Sequence, residues 1–475
     1  AVERNDTMLR EMLRKAVPTL IASGCLMAQC ALAEPINRAT VEAWLSAPPP
    51  ADMPAPGTQV SGAELEERRS LLPPGYFEFI ADGDVPIEIQ ASGDYTPAPA
   101  YQEVTAANAG KATLRAESGM DGYVAGQPFS NEQIAAAKPD EAGYMVAWNN
   151  VHRWQYYGYK VDAMDMIYVD ATAPGVNGTR VPGMEGGGNV QPSMVQTYHR
   201  VYLNGLAMLP QQGYRVKAAD ADKRLFKDYI SFSAPFDVKG TTFVVERSLD
   251  PNEEDQVSSY LPKERRVRRL SAQERADKFM GSNWTLDDFE AFSGRVMDYE
   301  WVYRGKKAIL HVTDSREPRL RFGGKQSNVF NDRWQVRQCH VVELKPRWTE
   351  HPVASKYLFV DDQTFNSLMA VTINRKDELW RVFMPAYQKA PADNSTPALT
   401  NETSVLRWRG AIGLDVLDSS NSLAIATSKT DILPMMDALQ PVGIDMAHRL
   451  RAAMDVPAER IEGYGKGAII GASGE

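Results

Sequence analysis

Asp287 and Asp288 are the adjacent carboxylates that first invite a catalytic reading, because paired acids can share one proton and act as acid and base. Neighbouring residues of a helix or strand point in different directions, so a helix N-terminal position or a turn is the simpler account. The histidines, at 152, 199, 311, 340, 351 and 448, show no paired metal-ligand spacing. The chain contains no GxSxG elbow, no HExxH and no paired CxxC. The glycine run at 186–188 lacks both the Lys-Ser/Thr of a phosphate loop and the GxGxxG spacing, and reads as a linker. No catalytic residue, cofactor site or metal ligand is therefore assigned. Abundant Asp and Glu leave open a hydrolase whose carboxylates carry no motif.

The other chemistry-bearing cluster is basic. Lys263, Arg265, Arg266, Arg268 and Arg269 crowd into seven residues of an otherwise acidic protein. In a strand, Arg266 and Arg268 share one face and Arg265, Val267 and Arg269 the other. This is either a solvated edge protected against aggregation or a docking patch for an acidic partner or lipid headgroup.

Position comes from the elements around these groups. Residues 241–247 have strand composition. Residues 299–303 and 308–312, with a turn at Arg304-Gly305, read as a hairpin. Trp334, Val336, His340, Val342 and Leu344 fall at even spacing, and strands follow at 356–360, 368–373 and 379–384. An antiparallel meander of this kind hides one face and wets the other. The hidden face must be covered by a helix, a second sheet, closure or a ligand. Phe243, Trp301, Tyr303, Trp334, Phe359 and Trp380 are the candidate lining of an apolar cavity. Upstream, Phe77 and Phe79, then Ile87 and Ile89, alternate as short strands, and helices are predicted around 131–138 and 142–156.

The N-terminus reads as a secretory signal. Met8 is the expected start, Arg10, Arg14 and Lys15 are the basic flank, residues 16–28 are mostly apolar, and Ala31-Leu32-Ala33 precedes cleavage at Glu34. A rival is lipidation of Cys25 after Ala22-Ser23-Gly24, which would anchor the protein. Segment 1–33 holds four basic and three acidic side chains, so removing it takes the net charge from −9 to near −10. An acidic chain without a basic domain argues against nucleic acid. Only Cys339 survives cleavage, which leaves no disulfide within one chain. Residues 34–75 are expected to be a Pro-rich tether with a short helix over 61–69, and 76–475 a single large β domain with insertions.

Four segments carry a resemblance. They are Tyr260-Leu261-Pro262 with Arg265-Arg266-Val267-Arg268-Arg269 and its continuation to Phe289, residues 333–362, residues 121–129, and Leu379-Trp380-Arg381-Val382. Together they resemble a family of bacterial envelope proteins of unassigned activity, described as outer-membrane lipoprotein-sorting-like. The family pattern Gly-Ser-Asp is Gly281-Ser282-Asn283 here, so one carboxylate is replaced. Over roughly 105–450 the resemblance implies a LolA/LolB-like fold: mainly β with helices (α+β), a large curved antiparallel sheet forming an unclosed half-barrel, with helices in the concavity. It also implies binding of lipid or other hydrophobic cargo in the periplasm, beside an inner-membrane efflux pump and an outer-membrane partner. A cargo-free scaffold of an export complex is the other non-enzymatic reading.

Overall fold

The computed structural model describes residues 35–432, apart from 84, 117–118, 156, 171–175, 179–180, 218–220, 272–273, 390–404 and 428–429. The signal, Met8, Cys25 and the chain beyond 432 lie outside the described residues. Two compact units are distinguished, 1–36 and 37–475, and only the second is described below.

A short strand β1 (Ile87–Ile89) precedes the main sheet. The first wing of that sheet comprises β2 (Gly158–Val169), β3 (Asn189–Tyr202), β4 (Arg224–Ala234), β5 (Thr242–Ser248), β6 (Gln256–Leu261) and β7 (Arg266–Leu270). The second wing comprises β8 (Tyr299–His311), β9 (Arg333–Pro346), β10 (Val353–Asp361), β11 (Ser367–Asn374), β12 (Leu379–Lys389), β13 (Leu406–Asp415) and β14 (Asn421–Ala426). Each wing is an antiparallel meander, and the wings join where β14 pairs with β2. The spatial order is therefore β7-β6-β5-β4-β3-β2-β14-β13-β12-β11-β10-β9-β8. β7 and β8 stand at opposite ends and no described pairing joins them, so the sheet is not closed. β1 adds in parallel to β9 at Trp334.

Helices α1 (Arg38–Ser46), α2 (Tyr76–Gly83), α3 (Asn131–Ala136) and α4 (Pro139–Val151) pack against this frame. The fold is thus mainly β with helices, as expected. Four local expectations are corrected. Residues 38–46, within the expected tether, are helix: Asn37 caps it through Thr40 N, and α1 docks Trp44 on Phe359 (ring centroids 5.4 Å). Arg38 fixes the same helix to Glu343 of β9 and to Asp377. Residues 76–83 are helix, because Tyr76, Phe77 and Ile80 bury one helical stripe that outweighs the Phe77/Phe79 alternation. The stretch 299–311 is one strand rather than a hairpin. Arg304-Gly305 is a bulge with Gly305 at φ +97°, and pairing with β9 resumes beyond it.

The fourth correction concerns the wet face. Strands β10 to β14 are buried along almost their whole length on both faces. One face of β9 and β10 meets α1, where Tyr357 also donates a hydrogen bond to Glu42. On the opposite face β10 meets the chain that links β7 to β8, where Lys356 pairs with Asp288, and β9 meets α3, where His340 Nε2 lies 2.8 Å from Asn131 Oδ1.

Candidate functional site

That linking chain, residues 274–298, crosses from one end of the sheet to the other. It is built of short 3₁₀ turns, Glu274–Ala276, Phe279–Gly281, Leu286–Ala291 and Val296–Asp298, with Met280, Glu290 and Ala291 at positive φ. We call it the strap. Thr285 caps the third turn, its backbone N–H and hydroxyl both bonding to the Asp288 carboxylate (2.8 and 3.0 Å). Asp287 instead bonds Arg275 at 2.6 Å, and Asp288 is paired with Lys356 of β10. The two acids point apart, in a turn, and form no dyad.

Between strap and sheet lies a partly open pocket. Its sheet wall is Val245 of β5, Asp228 and Ile230 of β4, Gln196 and Tyr198 of β3, Met164 and Met166 of β2, Ala424 of β14, Trp408 and Ala411 of β13 and Phe383 of β12. Seven neighbouring strands laid flat would span about 29 Å at the usual spacing. All seven reach one small space, so the sheet curves around it. Phe279, Trp284, Leu286 and Phe289 of the strap close the wall.

The strap is held by buried charge. Arg200 of β3 grips Asp228 of β4 with two bonds (2.6 and 2.7 Å) and reaches Glu290 of the strap at 3.4 Å. Arg153, beyond α4, meets the same Glu290 at 2.7 Å. Asp255 bridges Arg247 (2.6 Å) and Arg275 (2.8 Å). Burial alone would raise the Asp255 carboxyl, but the two guanidinium groups outweigh it and hold it below the usual carboxylate range. Asn283, where the family pattern has Asp, is buried and bonds Ser422 through its backbone N–H and Ser420 through its amide (both 2.9 Å). Of the residues lining the pocket, Asp228 is the one carboxylate, so the pocket wall holds no carboxylate pair for a glycosidase.

None of the six aromatic residues expected in a cavity lines this pocket. Phe243 is one layer away, edge-on to Phe279 (5.3 Å). Trp301 packs on Phe292 and donates to the Val296 carbonyl. Trp334 lies against Tyr76 and Phe330, and Phe359 beneath Trp44. The Tyr303 hydroxyl meets His340 Nδ1 at 3.1 Å, and Trp380 donates to Asp415. Strand alternation marks residues as buried without saying which layer buries them. The strap residues had no periodic signal; only their place in the resembling segment pointed to them.

Arg265, Arg266, Arg268 and Arg269 are all exposed, Arg265 in the turn and the others on end strand β7. Beside them, in the β4–β5 turn, Phe236 is 89 % exposed. Lys263 stands 3.7 Å from Asp237 across the two turns. Cys339 is fully buried on β9, and burial pushes its thiol well up. Among the described residues, no helix is long and apolar enough to cross a membrane.

The fold is a curved, unclosed sheet with a strap over a mostly apolar pocket. The chain belongs to the family described as protein of unknown function (DUF1329), whose model matches residues 59–406. A second model, described as amino acid synthesis, matches 420–475, beginning within the sheet at β14. No curated protein matches the chain. Among solved structures it is similar to a DUF1329 family protein from Desulfovibrio piger (16 % identity, 64 % of this chain, 97 % of that one, TM-score 0.41). It is also similar to a domain from Vibrio parahaemolyticus provisionally named an outer membrane lipoprotein-sorting protein (15 %, 64 % and 98 %, TM-score 0.41). A LolA superfamily protein from Nitrosomonas europaea matches at 11 % identity over 61 % of this chain and 92 % of that one, with TM-score 0.34.

Proposed function

We propose that the protein is a non-enzymatic carrier of lipid or another hydrophobic molecule in the periplasm of a Gram-negative envelope. The observation that carries this reading is the pocket: seven strands and a strap surround one space whose walls are mostly Met, Phe, Trp, Ile, Val and Ala. An apolar chain resists leaving a bilayer by about 0.8 kcal/mol per CH₂. Crossing water therefore requires a protein surface that replaces the bilayer, and no catalytic group. The envelope location rests on the N-terminal signal pattern. An inner-membrane pump and an outer-membrane receiver are the expected partners. The basic turn with Phe236 is the surface we assign to contact with anionic lipid headgroups.

The test is extraction of the protein purified from its native envelope, followed by mass spectrometry of the extract. A hydrophobic molecule near one per chain is expected. A clean extract, together with no uptake of a fluorescent fatty acid or fatty alcohol, would leave the scaffold reading in its place.

A further inference from the structure

We infer that the cargo of this pocket carries an uncharged hydroxyl, received by Tyr198 and Gln196. The inference rests on the carrier reading above and adds the chemistry of the head group. Tyr198 and Gln196 are two residues apart on β3, so their side chains leave the same face. Both line the pocket, at 1 % and 4 % exposure. Neither the Tyr198 hydroxyl nor Gln196 Oε1 has a hydrogen-bond partner among the described residues. Folded proteins pair the great majority of such buried groups, so two unpaired atoms on one wall of one pocket call for a partner from outside the chain.

The surroundings select that partner. The Tyr198 ring packs on Phe289 at 4.3 Å, and Met164, Met166 and Ile230 complete an apolar shell. The charged groups of the lining are already matched. Asp228 is taken by Arg200, and Arg275 lies between Asp255 and Asp287. A carboxylate or phosphate entering here would find no spare cation and would sit near Asp228, a costly placement in an apolar site. An alcohol suits both vacant atoms: its proton goes to Gln196 Oε1, and its oxygen accepts from the Tyr198 hydroxyl. Burial keeps that phenol protonated, and so a donor. An ester or ketone would engage Tyr198 and leave Gln196 unserved.

The experiment uses the mature chain and three probes of one length, 1-dodecanol, dodecanoate and 1-chlorododecane, followed by quenching of tryptophan fluorescence at pH 8. Dodecanol is expected to bind at least about 10-fold more tightly than dodecanoate. Tyr198→Phe should weaken dodecanol about 3- to 10-fold, the scale of one hydrogen bond, and leave 1-chlorododecane unchanged; Gln196→Met should do the same. Unchanged chlorododecane binding also certifies that each variant is folded. Equal or tighter binding of dodecanoate, or dodecanol affinity indifferent to both substitutions, overturns the hydroxyl assignment and means that water serves the two groups. Failure of all three probes to bind overturns the carrier reading itself.

Discussion

Arg200 and Asp228 are register partners on neighbouring strands, and their two parallel bonds lie directly under the strap that carries Glu290. Both side chains are buried. Losing one member strands a charge in the interior, which costs about 3–5 kcal/mol. Asp228→Asn is expected to lower unfolding free energy by that order in a urea titration. Arg200→Met with Asp228→Leu should lose much less, since no charge is left unmatched. Equal losses in the single and double variants would contradict this account.

The strap should be separable from the sheet. Arg275 ties it to Asp255, within the first wing. Arg275→Met is expected to speed amide exchange across 279–293 at least tenfold while β9 to β12 keep their protection. Uniform loss of protection would show that strap and sheet unfold as one.

Acid should weaken the protein well before its carboxylates titrate. His311 and His340 are fully buried. Burial, the largest influence, pushes His311 down to about 3, with Arg337 adding to it and the Pro385 carbonyl opposing. Burial pushes His340 down to about 4, with Lys306 adding and Asp362 opposing. In the unfolded chain each titrates near 6.5. Between those values the unfolded state binds protons that the folded state refuses. Stability is therefore full above about pH 6.5 and falls as pH is lowered towards 4. Near pH 5 these two residues contribute a slope of about 2.7 kcal/mol per pH unit. Unfolding free energies from urea titrations between pH 4.5 and 7 should lose that slope in a His311→Gln, His340→Gln chain.

The contact of α4 with β8 tolerates no side chain at Gly143. A Cβ there would stand 2.7 Å from the Trp301 carbonyl carbon. Gly143→Ala is expected to cost about 1–3 kcal/mol, the usual range for overpacking. A stabilised variant, as helix propensity alone would give, would contradict the observed closeness.

Vesicle binding tests the basic turn. Flotation with phosphatidylglycerol vesicles should recover the protein at low salt and release it near 1 M, where screening is nearly complete. Phe236→Ser should weaken recovery, and changing Arg265, Arg266, Arg268 and Arg269 to Gln should abolish it. Equal recovery on uncharged phosphatidylcholine would exclude this surface.

The second wing was legible because β-branched and aromatic residues alternate there, as at 334–344 and 368–373. Helix α4 and the single buried thiol were legible too. Phe77 and Phe79 misled because a stripe at Tyr76, Phe77 and Ile80 also contains a two-residue step. Arg304-Gly305 looked like a turn because a bulge glycine and a turn glycine are the same residue. The pocket was not legible. Phe279, Trp284 and Phe289 recur every five residues, a spacing that serves neither helix nor strand, and Met280 and Glu290, the residues after Phe279 and Phe289, take positive φ that no periodicity announces.

The strap is attached at both ends, to β7 on one side of the sheet and β8 on the other. It therefore cannot swing out about one end, as a free tail could. On the carrier proposal the space beneath it is a sleeve, which a long molecule enters and leaves lengthwise. Each methylene withdrawn meets its next surroundings before the following one moves, so the barrier to hand-over accrues in steps of about 0.8 kcal/mol. Passage from sleeve to membrane then needs only that the open side face the receiver, with the strap still fastened.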